Sequence, residues 1–262
     1  MQKIKAVFFD FDWTLFDHKT RSFIPSAIAA INEAHASGVR TFIDSARSYY
    51  ALRELGTFEK ISFDGFVVNN GGAAFTKDNV LYAKYFPEET IKEIVRLARE
   101  HGLSYLLVTL KEAYIYHQEG DSNVNHFYSV FYEPRPRPME EYKGEPVLAA
   151  QVFRTSDLDH VFNAIPHTVF NRFSDVAIEL TREPFHKDEG IKALIADTGF
   201  SKDELAAFGD DYNDIDMFNL VGHGICMGNG VEEVKNKASW VTTPIEQDGI
   251  KNGLIHLGVI EK

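Results

Sequence analysis

An apolar segment that ends in two acidic residues is the feature that most constrains this chain. The segment Ile4–Phe9 predicts a buried strand, because Val and Phe favour a pleated, covered surface. Asp10 and Asp12 follow it, and the two-residue period of a strand turns both side chains to the same side. Carboxylates held this close repel each other unless a cation lies beside them. The sequence therefore indicates a cation site, with an ordinary acidic turn as the alternative.

Three further segments place chemical groups where predicted strands end or helices begin. Ser45 follows the predicted strand Val39–Ile43, Lys187 opens a predicted helix, and Asp210 begins an acidic stretch after an apolar one. Together with the first segment they resemble, in the same order, the four motifs of the haloacid dehalogenase superfamily of phosphohydrolases. The resemblance extends over residues 4–258.

This resemblance implies a role for each residue at the site. Asp10 would be the nucleophile that forms an aspartyl-phosphate, and Asp12 the general acid and then the base. Mg²⁺ would be held by Asp10, the main-chain carbonyl of Asp12, and Asp210. The remaining candidates are phosphate-binding or supporting residues: Ser45, Arg47, Lys187 and Asn213 for the phosphate, and Asp214 as a supporting group behind the metal.

Each of these residues also has a purely structural interpretation. Ser45 is a natural helix N-cap, and Lys187 is a typical solvated charge. Asp211 and Asp214 suit the first turn of a helix, where the dipole favours acids. Arg47 is equally compatible with a surface salt bridge.

Two positions depart from the pattern of the family. Trp13 stands where a small Gly is usual, and an indole there would narrow the pocket or cover the substrate. Ser45-Ala46-Arg47 stands where Thr-Gly-Arg is common, but it keeps the hydroxyl and the guanidinium group.

The order of predicted elements indicates an α/β fold with a doubly wound, Rossmann-like parallel sheet and an inserted α+β lid. Strands alternate with helices over residues 1–80 and 184–262, which we assign to the catalytic core. Residues 81–183 contain paired strands, predicting an antiparallel sheet with helices on one face, and a proline-rich stretch, 133–139, predicted to be polyproline II.

The position of the insert, between the second and third motifs, resembles the Cof-type sugar-phosphatase branch of the superfamily. In that branch the lid sets substrate specificity, and the polar or aromatic candidates for this task are Tyr114, Tyr116, His117, His126 and Arg172. The expected function is hydrolysis of a small phosphorylated metabolite. The alternatives are a phosphohexomutase and a non-enzymatic phospho-acceptor or binding module.

Composition narrows the classes of partner. The formal net charge of −12 disfavours binding to nucleic acid or to an anionic membrane. The single cysteine, Cys226, precludes an intrachain disulfide, and no apolar run approaches the length of a membrane span. The chain starts directly with a strand, without a signal peptide, and we expect a cytoplasmic monomer or weak oligomer.

Overall fold

The computed structural model describes residues 3–131, 133–183 and 188–261. These residues form two compact units, between which the chain passes more than once. The first unit comprises Met1–Arg47, Gly56–Tyr82 and Lys187–Lys262, and the second comprises Ser48–Leu55 and Ala83–His186. The predicted α/β class, with a large and mostly parallel sheet, is confirmed.

The elements follow in chain order. The strands are β1 (Ala6–Phe9), β2 (Phe16–Asp17), β3 (Ser22–Phe23), β4 (Arg40–Asp44), β5 (Gly65–Val68), β6 (Ala73–Thr76), β7 (Val80–Ala83), β8 (Ser104–Val108), β9 (Ala113–Tyr116), β10 (Arg137–Pro138), β11 (Ala149–Phe153), β12 (Thr168–Arg172), β13 (Ala177–Arg182), β14 (Leu205–Gly209), β15 (His223–Cys226) and β16 (Trp240–Val241). The helices are α1 (Pro25–Ala36), α2 (Tyr49–Glu54), α3 (Thr57–Lys60), α4 (Glu88–Glu100), α5 (Ser122–Val130), α6 (Asp159–Asn163), α7 (Asp188–Thr198), α8 (Ile215–Leu220), α9 (Glu232–Lys235) and α10 (Gly249–His256). Within the described ranges, no helix has both the length and the apolar composition required to cross a bilayer.

The sheet of the first unit aligns the ends of its central strands. Among the described residues its order is β16-β15-β14-β1-β4-β5-β6-β7, and β1 pairs in parallel with both β14 and β4. Phe9, the last residue of β1, lies opposite Phe208 on one side and Ile43 on the other. The residues that follow these strands therefore emerge at the same edge of the sheet.

Apolar side chains alternate between the two faces of this sheet. Phe8, Phe42 and Ala207 form a buried cluster with residues of α7 and α8. Phe9 and Phe208, one position further along their strands, stack on each other with ring centroids 5.4 Å apart. A sheet that is buried in this way holds its strand ends in fixed positions, which suits a site built on them.

A short hairpin follows the two acids of the first motif. Strands β2 and β3 pair in antiparallel fashion, Phe16 opposite Phe23. The two rings meet edge to face at 5.4 Å, and the Phe11 ring stacks on Phe16 at 5.5 Å. This aromatic packing anchors the segment that carries Asp12 and Trp13.

The second unit contains a six-stranded sheet in the order β10-β9-β8-β11-β13-β12. On one of its faces Ile91 and Ile94 of α4 pack with Phe162 of α6. On the other face Val124 and Phe127 of α5 pack against residues of β8 and β11. The prediction of helices on one face only was therefore wrong. Every residue of β8 is buried, and such a continuous apolar run is typical of a strand that is covered on both sides.

The proline-rich stretch is partly a strand. Arg137 and Pro138 form β10, which pairs in parallel with Tyr114 and Ile115 at the edge of the sheet. Proline is tolerated at an edge because it lacks only the N–H group that an inner strand would have to donate. The prediction of an extended backbone agrees with this pairing, but the strand itself was not foreseen.

Candidate active site

Three buried carboxylates meet at the edge where β1 and β14 end. Asp10 follows β1, Asp210 follows β14, and Asp214 lies in the short 3-10 turn Tyr212–Asp214. One oxygen atom from each of the three lies within 4.8 Å of the others. Their exposed fractions are 5% for Asp10, 8% for Asp210 and 0% for Asp214. The structure thus brings together Asp10 and Asp210, and it adds Asp214, which the sequence assigned to a supporting role.

Local backbone geometry fixes Asp214 in this cluster. Its Oδ2 atom accepts hydrogen bonds from the N–H groups of Asp210, at 2.8 Å, and of Asp211, at 3.0 Å. A Cβ atom on Gly209 would overlap the Asp214 carboxyl group, so only glycine fits at that position. The structural interpretation of Asp214 as an acid that caps a helical turn is therefore correct, and the same contacts place it beside Asp10 and Asp210.

The electrostatics of the cluster favour a bound cation. Burial raises the pKa of Asp210 to about 7, and the nearby charges of Asp214 and Asp211 add to the increase, whereas a hydrogen bond from Thr14 opposes it. The Thr14 hydroxyl donates to Asp210 Oδ1 over 3.3 Å. Carboxylates packed this closely repel one another, and a divalent cation, which prefers oxygen ligands, would relieve that repulsion.

Asp12 contacts two basic side chains. Arg47 Nε donates to Oδ1 and Oδ2 of Asp12 at 3.0 Å each, and the Nε2 atom of His18 lies 2.6 Å from Oδ1. Burial would raise the pKa of Asp12, but the hydrogen bonds and charges of His18 and Arg47 outweigh it and hold the pKa below its ordinary value. Arg47 is therefore paired with a residue of the candidate site.

Trp13 adopts a backbone conformation that is unusual for its type. Its φ angle is 60°, in the left-handed region, which costs a residue other than glycine about 1–2 kcal/mol. The turn is defined by hydrogen bonds, since the Trp13 N–H donates to the Phe16 carbonyl at 2.9 Å. Asn229 Nδ2 donates to the Trp13 carbonyl, also at 2.9 Å. The geometry explains why a glycine is usual here and why tryptophan is a departure.

Ser45 is fully buried just beyond the end of β4. Its N–H donates to the Val67 carbonyl at 3.0 Å, and its Oγ accepts from the Arg47 N–H at 3.1 Å. The N-cap of the following helix, α2, is Ser48. Ser45 is thus not the N-cap of this helix. Its role in binding phosphate remains a prediction.

Lys187 and Asn213 are the other residues that were predicted to bind the phosphate. Lys187 lies outside the described residues, which resume with α7 at Asp188. Asn213 lies in the 3-10 turn beside Asp214 and is partly buried. Its proposed role is unchanged.

The polar and aromatic residues predicted on the insert are partly engaged inside the second unit. Arg172 Nε donates to Asp159 Oδ2 at 2.7 Å, and its Nη1 donates to the Ser174 carbonyl at 3.0 Å. Tyr116 stacks on Tyr105 with ring centroids 5.0 Å apart. Arg172 and Tyr116 therefore hold the unit together. Tyr114 lines a cavity of about 270 Å³, whereas His126 is exposed near Asp175.

Sequence reasoning missed His18 and Asn229. His18 is a lone histidine six residues after Asp12, and no pattern marks it as a neighbour of that acid. Asn229 lies between two glycines, and its Oδ1 accepts from the Ile245 N–H at 2.8 Å while its Nδ2 binds Trp13. The glycines were the only sign that a tight loop approaches the site there.

Comparisons with known proteins agree with this geometry. Residues 7–254 match the sequence family of haloacid dehalogenase-like hydrolases. The protein YkrA of Bacillus subtilis (strain 168) is 28% identical over 267 residues, covering 98% of this chain and 99% of YkrA.

Two crystal structures have the same architecture. A hypothetical protein from Geobacillus kaustophilus HTA426 is 28% identical and superposes with a TM-score of 0.87, covering 98% of this chain and 100% of its own. BT4131, a sugar phosphatase of haloacid dehalogenase subclass IIB, is 29% identical with a TM-score of 0.74 and the same coverage. The resemblance drawn from the four motifs is confirmed, and the chain belongs to the haloacid dehalogenase-like hydrolases.

Proposed function

We propose that this hydrolase is a Cof-type phosphatase that releases phosphate from small phosphate monoesters, sugar phosphates in particular, with the help of Mg²⁺. The observation that carries the proposal is the buried cluster of Asp10, Asp210 and Asp214 at the edge where parallel strands end. The similarity to BT4131, a sugar phosphatase, supports the choice of substrate class.

Asp10 would act as the nucleophile. It is buried and follows the central strand directly, and its N–H donates to the Phe208 carbonyl at 2.9 Å, which fixes the backbone beneath the side chain. Attack of its carboxylate on phosphorus would form an aspartyl-phosphate, which water then hydrolyses. A rigid backbone at this position favours such an attack, because it keeps the carboxylate oriented.

Asp10, Asp210 and the main-chain carbonyl of Asp12 would hold the Mg²⁺ ion, and Asp214 joins them either as a ligand or through bound water. The raised pKa of Asp210 supports this assignment, since burial and the neighbouring carboxylates disfavour its charged form and a bound cation would favour it. When bound, the ion lets an anionic carboxylate approach an anionic phosphate.

The other residues divide the remaining tasks. Asp12 would protonate the leaving oxygen and later deprotonate the attacking water, after exchanging its contacts with Arg47 and His18 for contacts with the substrate. Released from Asp12, Arg47 can bind a phosphate oxygen in the same bidentate manner. Ser45 and Lys187 would bind the phosphate oxygens that gain charge in the transition state, supported by Asn213.

We further propose that the two units differ in function. Residues 1–80 and 184–262 would be the catalytic core, which carries all four motifs, and residues 81–183 the lid that selects the substrate. The compact units differ from these bounds in the segment Ser48–Leu55, which groups with the second unit by its contacts. Discrimination between substrates depends on contacts to the leaving group, and the lid would supply most of them.

The first prediction tests the nucleophile. Replacing Asp10→Asn removes the attacking oxygen, and we expect turnover of an aryl phosphate with Mg²⁺ to fall at least about a thousandfold while the melting temperature is retained. The matched control is Asp216→Asn, which changes an exposed acid on α8 and should leave the rate unchanged.

Two outcomes would contradict the proposal. Activity of the Asp10→Asn variant near that of the native enzyme would exclude Asp10 as the nucleophile. Conversion of one hexose phosphate into another, without release of inorganic phosphate, would identify a mutase instead.

A further inference from the structure

Trp13 combines backbone strain with a position beside the acid–base residue. Its left-handed conformation is imposed by the tight turn, in which the Phe11 carbonyl accepts from the N–H groups of Leu15, at 2.8 Å, and Phe16, at 2.9 Å. Glycine would satisfy this turn without strain. When a strained residue lies at a site, we therefore expect its side chain to have a function that offsets the strain.

Packing of the indole in the hydrophobic core does not explain why tryptophan stands at this position. The Trp13 side chain is only partly buried, whereas Phe11, Thr14 and Leu15 around it are covered almost completely. The indole lies against the His18 imidazole, with ring centroids 5.1 Å apart and planes inclined by 37°. Part of the Trp13 surface thus remains accessible at this turn.

The surroundings of the indole are polar and connected to Asp12. His18, which the indole contacts, lies 2.6 Å from Asp12 Oδ1, and Arg47 binds the same carboxylate. In the proposed function Asp12 protonates the oxygen that leaves with the organic part of the substrate. The organic part would therefore be released close to the partly accessible indole of Trp13.

We propose that Trp13 is a specificity-determining residue that stacks on the leaving group, so that the enzyme favours phosphate esters whose leaving group is a ring with a flat apolar face. Aromatic side chains bind such faces through dispersion and burial of apolar surface. Sugar rings and aryl rings share this property, and open-chain alcohols lack it. This inference rests on the proposed phosphatase function.

The test is the variant Trp13→Gly, which removes the indole and suits the left-handed backbone, so the fold should be kept. We measure kcat and KM with a hexose phosphate, an aryl phosphate and glycerol 3-phosphate, each with Mg²⁺. For the two ring-bearing esters we expect kcat/KM to fall about tenfold, chiefly through KM, because stacking acts on binding. For glycerol 3-phosphate we expect a change of less than about twofold.

Two control variants separate stacking from loop flexibility. Arg21→Gly also places glycine at a left-handed position, φ 53°, in the same hairpin segment, and should leave all three rates unchanged. Trp13→Phe keeps an aromatic ring and should retain most of the preference for ring-bearing esters.

A binding measurement gives a second readout. The chain has two tryptophans, and Trp240 stacks on His256 with ring centroids 3.9 Å apart. In the double variant Trp240→Phe/Asp10→Asn, the remaining indole is that of Trp13 and turnover is blocked. We expect its fluorescence to respond to the hexose phosphate at concentrations where glycerol 3-phosphate has no effect.

The outcomes distinguish the two proposals. Two results would overturn the role of Trp13 while leaving the phosphatase function intact. One is an equal decrease in kcat/KM for all three esters in Trp13→Gly, and the other is Trp13 fluorescence that does not change when the hexose phosphate is added. Native enzyme that hydrolyses none of the three esters would instead overturn the proposed function itself.

Discussion

The carboxyl group of Asp210 occupies a place that disfavours its charged form, since it is buried and faces other carboxylates. Its pKa of about 7 lies above its ordinary value of 3.8, so the folded protein holds a proton that the unfolded chain would release between those two pH values. Without a cation, the contribution of this group to the free energy of unfolding therefore decreases as the pH rises from about 4 to about 7.

The second prediction follows from this decrease in stability with rising pH. Mg²⁺ binds the ionised cluster and competes with the proton on Asp210, so it should raise the melting temperature more at about pH 8 than at about pH 5.5. Thermal unfolding with and without Mg²⁺ at both pH values measures this. Asp210→Asn should weaken the response and raise the Mg²⁺ concentration needed for activity. An unchanged Mg²⁺ titration in that variant would show that the metal is held elsewhere.

The third prediction concerns the close approach of Gly209 to Asp214. Replacing Gly209→Ala puts a methyl group into the space of a carboxyl that two N–H groups hold in place. We expect a loss of about 1–3 kcal/mol in the free energy of unfolding, measured by denaturant titration.

A double-mutant cycle checks that the overlap is the cause. In the Asp214→Ala background the space is free, so Gly209→Ala should then cost much less than it does alone. Equal costs in both backgrounds would place the effect in the strand backbone.

At the scale of elements, β13 carries a partly buried acid between two buried apolar residues. Glu179 lies between Ile178 and Leu180, and it is paired across the sheet with Gln151 of β11 and Asn171 of β12. Burial raises the pKa of Glu179 to about 7, against a hydrogen bond with Gln151 that lowers it. The charged form of Glu179 is thus unfavourable in this sheet.

The fourth prediction is the pH dependence of this strand. Since the native pKa is raised above 4.5, the folded state binds the proton more tightly, and the stability of the native protein falls as the pH rises between about 4.5 and about 7. Glu179→Gln, which is uncharged throughout, should therefore stabilise the protein at about pH 8, by up to about 3 kcal/mol, and have little effect at about pH 4.5.

Glu93→Gln is the control of opposite sign. A hydrogen bond from Arg96 lowers the pKa of Glu93, so its removal should not stabilise the protein at about pH 8. If both variants behave alike in pH-dependent unfolding, burial of Glu179 is not the cause.

The elements that could be predicted well from the sequence are those with a clear pattern of apolar residues. Apolar runs located β1 and β4, and the apolar face of α4 located that helix, because burial on a defined face leaves a periodic signal. Helix α5 was missed, since its sequence mixes polar, aromatic and β-branched residues without a clear period. It is held by the Asp121 cap and by packing of Phe127, and the second of these depends on tertiary contacts.

The same distinction applies to the site. Asp10, Ser45 and Asp210 were predictable because parallel strands in register bring their ends together. The contact between His18 and Asp12 depends on the path of the β2–β3 hairpin, which two-residue strands do not reveal in a sequence. The nearness of Asp214 to Asp10 depends likewise on one turn and on the absence of a side chain at Gly209.

At the scale of the whole molecule, the net charge is strongly negative, although two basic side chains lie at the proposed site. The chain carries a formal charge of −12, yet Arg47 and His18 lie beside Asp12 at the site. We expect the long-range field to repel a proposed anionic substrate, an effect that weakens with salt, and Arg47 to bind the substrate at short range once it has left Asp12. Substrate affinity should therefore depend on ionic strength less than the formal charge suggests.

The central position of β1 has a consequence for synthesis on the ribosome. Ala6 pairs with Arg40, which emerges soon afterwards, and also with Leu205, which emerges only when most of the chain has been made. Until then one edge of this apolar strand has no partner and is open to pairing with other nascent chains. The strand that precedes Asp10 is thus fully paired only long after it has been synthesised. The pairing that completes the centre of the sheet therefore depends on a segment about two hundred residues further along the chain.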